Sequence, residues 1–383
     1  MDFRFTEEQE RLRQGVREFL EKELPRDKYP KAENQWQYGI SLEFSRKVGQ
    51  KGWIGMTWPK KYGGQGKTNL DRLIVIEEML RYGAPVAAHW LTERQIGPCL
   101  LSYGTKELRQ EFLPRIAKGE LYVAAGMSEP EAGSDLASLQ TRAVEKDDCF
   151  VIDGQKVWTS GAHECHYIYT VVRTDPEASK HKGISEILID LSLPGVAVNP
   201  LVNIAGKVHF NEVFFDGVRV PKKYLIGQKN NGWYQIVAQL DYERSGPERL
   251  MTNYLLLQDV LQYAKEAGVG EDIKHKLAGL EVEFEVGRLL IYRVAWLLSQ
   301  GKISNYEAAM SKAFSTAFEQ KVANTATQIL GPYGQLMPGS KSALLGGRAA
   351  FNFLDCVGYT LRGGTSEILK NIVATRGLGL PRQ

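Results

Sequence analysis

Cysteine is scarce in this chain of 383 residues, and the four thiols, Cys99, Cys149, Cys165 and Cys356, form no C-x-x-C pair. That spacing excludes a zinc ribbon and a disulfide framework, and scattered thiols fit a reducing, cytoplasmic setting. Charge imbalance is missing too. Lys and Arg total 48 against 45 for Asp and Glu, so neither a basic nucleic-acid footprint nor an acidic tail is present. No apolar run approaches the roughly 18 residues of a membrane span. The charged start MDFRFTEEQE lacks the apolar stretch of a signal peptide. There is no internal repeat, no low-complexity segment, no G-x-G-x-x-G after a strand and no G-x-S-x-G elbow, which excludes a Rossmann dinucleotide site and a serine-hydrolase nucleophile. GGQGKT at 63–68 is half of a phosphate loop only, because Lys61 stands where the pattern requires glycine. It reads as a solvent loop. His163-Glu164-Cys165-His166 precedes a strand, where neighbouring side chains diverge, so no metal centre is expected there.

What is present is a helix–strand–helix order. Thr6-Glu7-Glu8-Gln9 is a capping box that starts a helix. Leu70, Leu73, Ile74 and Leu80 keep a helical period. From about residue 121 the period shortens. LYVAAGM, FVIDGQKVW, YIYTVV, ISEILIDL and NEVFFDGVRV are short, rich in β-branched and aromatic residues, and bounded by turns. Asp153-Gly154 and Asp216-Gly217 predict tight turns or hairpins. Beyond Pro221 the chain reads as helix again. Val286, Leu289, Leu290, Val294 and Leu297 form one predicted apolar stripe, and Gly268-Val269-Gly270 separates two long helices. The expected fold is therefore α+β and multidomain, with a helical domain over 1–120, a β domain over 121–228 and a second helical domain over 229–383. It is not the alternating pattern of a doubly wound sheet.

Four stretches carry candidate chemistry. AAGMSEPEAGSD (124–135) puts Ser128, Ser134 and exposed backbone N–H groups at a strand end, where they can hold a pyrophosphate or a polar ring edge. QKVWTSG (155–161) sets the flat face of Trp158 beside the hydroxyls of Thr159 and Ser160. DYERSGPERL (241–250) places Asp241, Glu243 and Glu248 in an apolar helix, where a solvated charged face is the ordinary reading. TLRGGTSEI (360–368) opens a helix with two glycines and a Thr cap.

Together, in this order and with WPKKYGGQG, NEVFFDGVRVP and QILGPYG, these stretches resemble the acyl-CoA dehydrogenase family over nearly the whole chain. The resemblance implies an N-terminal helical domain, a middle β-barrel-like domain and a C-terminal four-helix bundle, with FAD between the last two. It implies α,β-dehydrogenation of an acyl-CoA thioester and an electron-transfer flavoprotein as acceptor. Met127, Ser128, Gly133, Ser134, Trp158, Ser160, Gly364, Thr365 and Glu367 match positions around FAD. Gln328 matches a residue that reaches the FAD of a neighbouring subunit in the family tetramer. Ser134, Asp241 and Arg244 match positions near acyl-CoA.

Two departures bear on mechanism. Many members carry the catalytic Glu directly before the Gly-Thr of the last motif, where this chain has Gly363. Members that instead place the base on the helix opening the C-terminal domain match here at Glu243, with Glu248 as second choice. The R-K-x-F-G-x stretch that grips a neighbour's pyrophosphate is also missing from AKEAGVGEDIKHKLAGL. The resemblance therefore allows a homotetramer or a two-chain heterotetramer, and alternatively a non-catalytic partner subunit or an acyl-CoA oxidase or flavin monooxygenase on the same fold.

Overall fold

A computed structural model describes residues 4–244, 246–302 and 304–381, and for 238–243 the backbone alone. The chain divides into two compact units. One comprises residues up to Trp36, 68–84 and from Arg244 onward; the other comprises 37–67 and 85–243.

The second unit is built on an eight-stranded sheet. Its strands are β1 (Val123–Gly126), β2 (Arg142–Lys146), β3 (Cys149–Lys156), β4 (Tyr167–Arg173), β5 (Ile184–Asp190), β6 (Val196–Val202), β7 (Val208–Pro221) and β8 (Leu225–Ile226). The order is β6-β7-β3-β2-β4-β5-β8, with β1 paired in parallel to β4. β4 and β5 are buried almost end to end, whereas β7 alternates inward and outward. A strand covered on both faces needs a continuous apolar run, and one covered on a single face needs a period of two. Phe150, Ile152, Ile168, Ile187, Ile189, Val213, Phe215 and Val218 fill the core. Fully burying such a side chain contributes about 1.5–3 kcal/mol.

The two Asp-Gly pairs are not hairpins. Both lie inside strands, opposite each other, where the β3–β7 register shifts between Ile152 and Gly154. Gly154 takes φ +144° and Gly217 φ +60°, and Asp153 Oδ1 accepts from the Gly217 N–H at 2.9 Å. The glycines supply the unusual backbone of a bulge rather than of a chain reversal. The short strand β8 also interrupts the helical stretch expected beyond Pro221.

The first unit is helical. Its helix Glu7–Glu23 starts on the Thr6–Gln9 capping box, and the helix Asn69–Tyr82 starts on Thr68 paired with Asp71. The helices Tyr254–Ala267, Glu271–Ser299 and Asn305–Leu330 follow, the first two separated at Gly268, which has φ +64°. Asn305–Leu330 is buried through Ala308, Ala309, Ser311, Ser315, Ala323 and Ala326, small residues that let neighbouring helices approach closely. The predicted stripe on Glu271–Ser299 is split. Val294 and Leu297 are buried, but Val286 and Leu289 are exposed. The buried face runs instead through Leu280, Phe284, Gly287, Ile291 and Val294. The helical period holds, but the buried face is displaced in phase, because Gly287 and Phe284 face inward in place of Val286 and Leu289. Among the described residues, no helix is long and apolar enough to cross a membrane.

Candidate functional site

Each unit carries its own cluster of motif residues. In the β unit, the turn after β1 and the end of β3 are tied together. The Val157 N–H donates to the Ser128 carbonyl at 2.9 Å. Lys156, with no solvent exposure, donates to Glu129 Oε1 at 2.7 Å and to the Met127 carbonyl at 3.1 Å. Glu129 also accepts from the Gln140 and Thr141 N–H groups, at 2.6 and 2.9 Å. Burial pulls the Lys156 ammonium down to about 8, against the opposing charge of Glu129. Burial pushes Glu129 the other way, yet Lys156 and its hydrogen-bond donors hold it below the usual carboxylate value.

This tie delivers the chain to Trp158, which is 60% exposed and sits at φ +61°. A non-glycine residue there is strained by about 1–3 kcal/mol, and such strain persists where the surroundings over-determine it. The surroundings are specific. The Thr159 N–H donates to the Asn211 carbonyl at 3.0 Å, and the Asn211 side-chain amide donates back to the Thr159 carbonyl at 2.8 Å. The Thr159 hydroxyl is buried without a partner. Gly161 has φ +65°, and a Cβ there would lie 2.0 Å from the Tyr122 hydroxyl. Burial holds both Tyr122 and the neighbouring Cys165 thiol well above their ordinary values, so both stay neutral. Met127, Ser128 and Ser160 are half-buried, and Gly133 and Ser134 are exposed beyond the turn.

The His163–His166 stretch is structural. His163 Nδ1 bonds to Asn211 Oδ1 at 2.9 Å, the Tyr122 N–H donates to His166 Nδ1 at 3.2 Å, and Cys165 donates to the Gly161 carbonyl. Among the described residues no group of His, Cys, Asp and Glu could hold a metal ion.

In the helical unit the last motif forms an elbow. Gly363 and Gly364 take φ +67° and +93°, and Thr365 caps the helix Ser366–Ile372. Lys312, 1% exposed, donates to the Gly364 carbonyl at 2.7 Å and the Tyr359 carbonyl at 3.1 Å. Arg244 Nε approaches the Gly363 carbonyl at 3.5 Å. The Arg362 guanidinium lies 4.3 Å from the centre of the Tyr359 ring. Its own backbone N–H and the Thr365 hydroxyl keep the exposed Glu367 below the usual carboxylate value. Gln328 is exposed near the end of Asn305–Leu330. Glu248 is buried, with Arg249 Nε at 3.9 Å. The side chains of Asp241 and Glu243 lie outside the described residues; their backbones belong to the helix Gly232–Arg244.

Sequence reasoning missed Lys156, Glu129 and Lys312. A signal for Lys156 existed: a period of two counted from Phe150 and Ile152 puts it on the inward face. The hairpin reading of Asp153-Gly154 hid that. Lys312 has a weaker signal, as a cation set among Ala and Ser in the first half of a buried helix.

A strained, exposed indole beside hydroxyls and a tied strand end offers an apolar face and polar groups of the kind a flat, polar-edged cofactor requires. The N-terminal, middle and C-terminal domain models of acyl-CoA dehydrogenase match residues 6–120, 124–218 and 230–378. The chain is 34% identical to acyl-CoA dehydrogenase FadE26 of Mycobacterium tuberculosis (strain ATCC 25618 / H37Rv), over 100% of this chain and 99% of that protein. It resembles the solved Tcur3481-Tcur3483 steroid ACAD, with a TM-score of 0.91 and 35% identity over 100% of both chains. It also resembles a chain of the ChsE4-ChsE5 complex from Mycobacterium tuberculosis, with a TM-score of 0.88 and 33% identity over 100% of both.

The chain belongs to the acyl-CoA dehydrogenase family. It is accordingly an FAD-dependent oxidoreductase with that family's helical, β and helical domains. The residues present fit FAD: an exposed aromatic face at Trp158, hydroxyls at Ser128, Ser134 and Ser160, and an open Gly133, where a Cβ would meet nothing within 4 Å.

Proposed function

We propose that this chain removes the α-proton and the β-hydrogen of an acyl-CoA thioester, with Glu243 as the base, giving the 2-enoyl-CoA. Bound FAD supplies the two-electron acceptor for the β-hydride, and an electron-transfer flavoprotein reoxidises it. The observation that carries this reading is the last motif. Gly363 offers no carboxylate there, and its carbonyl is approached by Arg244, the residue that follows Glu243 in sequence. An ordinary Glu, with a pKa of about 4.3, is too acidic for a carbon-bound proton, so the base needs an apolar, water-excluded setting that raises it. Backbone N–H groups at Gly363 and Gly364 are the candidates to stabilise developing charge on the thioester oxygen. Glu248 is a weaker candidate, since it is fully buried beside Arg249.

Met127, Ser128, Gly133, Ser134, Trp158, Ser160, Gly364, Thr365 and Glu367 are assigned to FAD. Ser134, Asp241 and Arg244 are assigned to acyl-CoA. Likeness to the steroid ACAD supports a bulky, steroid-derived acyl group. Likeness to a chain of the ChsE4-ChsE5 complex, together with the missing R-K-x-F-G-x stretch, supports assembly with a second chain; a homotetramer is the alternative. The exposed Gln328 is then available to a neighbouring subunit. Four free thiols are consistent with a reducing, cytoplasmic setting.

Glu243→Gln tests the base. The variant should keep its yellow flavin and lose roughly 10²–10⁴-fold in flavin bleaching by a steroid-derived acyl-CoA. Near-parental turnover would remove Glu243 from the mechanism. Purifying the chain alone tests the assembly. A yellow, active protein without a second chain refutes the two-chain reading, and rapid peroxide formation in air favours the oxidase alternative.

A further inference from the structure

The flavin motifs are joined by an ion pair that the assigned chemistry does not use. Lys156 projects from the last residue of β3 into the protein, without solvent contact. It reaches a carbonyl, Met127 O, and a carboxylate, Glu129. Glu129 in turn accepts from two consecutive backbone N–H groups, Gln140 and Thr141. The Thr141 hydroxyl closes the circuit by donating to the Gln155 carbonyl at 3.2 Å. Three stretches of chain, 127–129, 140–141 and 155–157, thus meet around two buried charges.

Stability alone is a poor reason for this arrangement. Removing two charges from water costs several kcal/mol per ion, and a well-packed apolar pair usually holds a fold as well or better. β3 needs no such help, since β7 pairs with it from Cys149 to Lys156 and β2 from Cys149 to Asp153. The segment that lacks a ladder is the turn after β1. Within it, the Glu129–Ala132 pairing is a single isolated bridge. There the ion pair fixes what a ladder would otherwise fix, namely the direction of the Met127 carbonyl, next to the Ser128 carbonyl that the Val157 N–H holds. An ammonium donates in several directions and can hold a carbonyl and a carboxylate at once, which an apolar side chain cannot.

We propose that Lys156 and Glu129 are positioning residues for FAD, clamping the Met127–Ser128 edge against the strand end that carries Trp158 so that the flavin ring meets one fixed polar rim. This rests on the assignment of Met127 and Ser128 to FAD. The clamp acts before any chemistry, so its effects should appear in flavin binding and spectrum as well as in turnover.

The test uses the purified holoenzyme and four variants: K156M, K156R, E129Q/K156M and S128A. FAD release is followed by the rise of free-flavin fluorescence at a temperature well below melting. The flavin absorbance spectrum and the melting temperature are recorded alongside. K156M leaves a buried carboxylate unpaired and should melt early. E129Q/K156M removes both charges and keeps a side-chain carbonyl for one of the two N–H groups, so its melting temperature should return toward that of the parent. In both, FAD release should stay faster by about tenfold, equivalent to about 1.4 kcal/mol, with a displaced flavin spectrum. K156R keeps the charge but exchanges a compact donor for a planar fork, and should show the same spectral displacement. It carries the comparison should K156M fail to fold.

If FAD release tracks the melting temperature across these variants, or the double variant releases FAD like the parent, the pair is a structural tie and the proposal falls. S128A separates the two readings. S128A keeps the backbone groups that the clamp positions, so unchanged flavin binding and spectrum in S128A, with changed ones in K156R, would remove the Ser128 hydroxyl but not the clamped backbone edge from the flavin site.

Discussion

The ammonium of Lys312 donates to the Gly364 carbonyl at 2.7 Å from a side chain that is 1% exposed. A second bond to the Tyr359 carbonyl at 3.1 Å means that one cation on the helix Asn305–Leu330 holds both sides of the RGG elbow. Lys312→Met keeps the length of the side chain and removes both bonds. Hydrogen bonds to a charged group contribute about 1.5–3 kcal/mol each, and the buried Tyr359 carbonyl and the half-buried Gly364 carbonyl would each lose a donor. The expected outcome is a lowered melting temperature. Protection of the Gly364–Ser366 amides in hydrogen exchange should fall as well, and parental exchange there would show that the elbow stands without Lys312.

Glu77 is the hub of a buried network. Its carboxylate accepts from Arg288 Nε at 2.6 Å and Arg81 Nη2 at 3.1 Å, and the Tyr292 hydroxyl also donates to it. Burial pushes Glu77 up, but the two guanidinium groups and Tyr292 outweigh it and hold the carboxyl below its ordinary value. Because the folded value is depressed, its contribution is present above the ordinary carboxylate range and is lost as pH falls through the folded value. Glu77→Ala leaves two half-buried guanidinium groups without their anion and should cost less than the roughly 3–5 kcal/mol of a fully buried pair. The acid limb of a melting-temperature against pH plot should flatten in Glu77→Gln relative to the parent.

Glu319 presents the opposite sign. Burial raises this carboxyl well above its ordinary value, despite the Asn253 N–H donating to Oε2 at 2.7 Å. The folded state therefore holds a proton that the unfolded chain gives up. The associated stability is complete below the unfolded value and is lost as pH rises through the folded one. Glu319→Gln keeps an acceptor for Asn253 and removes the titration. Its melting temperature should match the parent at low pH and exceed it progressively as pH rises. A constant offset across the range would contradict a neutral Glu319.

Trp158 separates binding from stability. It is exposed and left-handed, and its edge contact with Phe210 has ring centres 5.9 Å apart. Trp158→Gly relieves the backbone strain, and losing the ring contact offsets it by about 0.5–1.5 kcal/mol. The apoprotein should melt close to the parent, while the holoenzyme should lose FAD faster and show a displaced flavin spectrum. A strongly lowered apoprotein melting temperature would make the indole a structural residue instead.

Much of this molecule is legible in one dimension because its signals are local. Thr6 and Gln9, or Thr68 and Asp71, meet within one helical turn, so a capping box states its own structure. The burial of β4 and β5 is largely announced by the density of Ile, Val, Leu and Tyr in both, although Thr170, Ser185 and Glu186 are buried with them. The family likewise lies in short contiguous motifs, SEPEAGSD, WTSG and RGGTSEI. Asp-Gly was misread for the converse reason. The pair says only that one residue tolerates an unusual φ, and whether this closes a hairpin or a bulge depends on a strand some sixty residues away, where Asp153 meets Gly217.

The amino-acid sequence by itself determined the order of helical and β segments, the family and its need for FAD, because each rests on neighbours in the chain. Only the tertiary structure decided which buried charges are answered and by whom. Lys156 finds Glu129 across 27 positions, Lys312 finds Gly364 across 52, and Glu77 finds Arg288 across 211. A buried charge is tolerable only beside its partner, and no local pattern names a partner brought in by the fold.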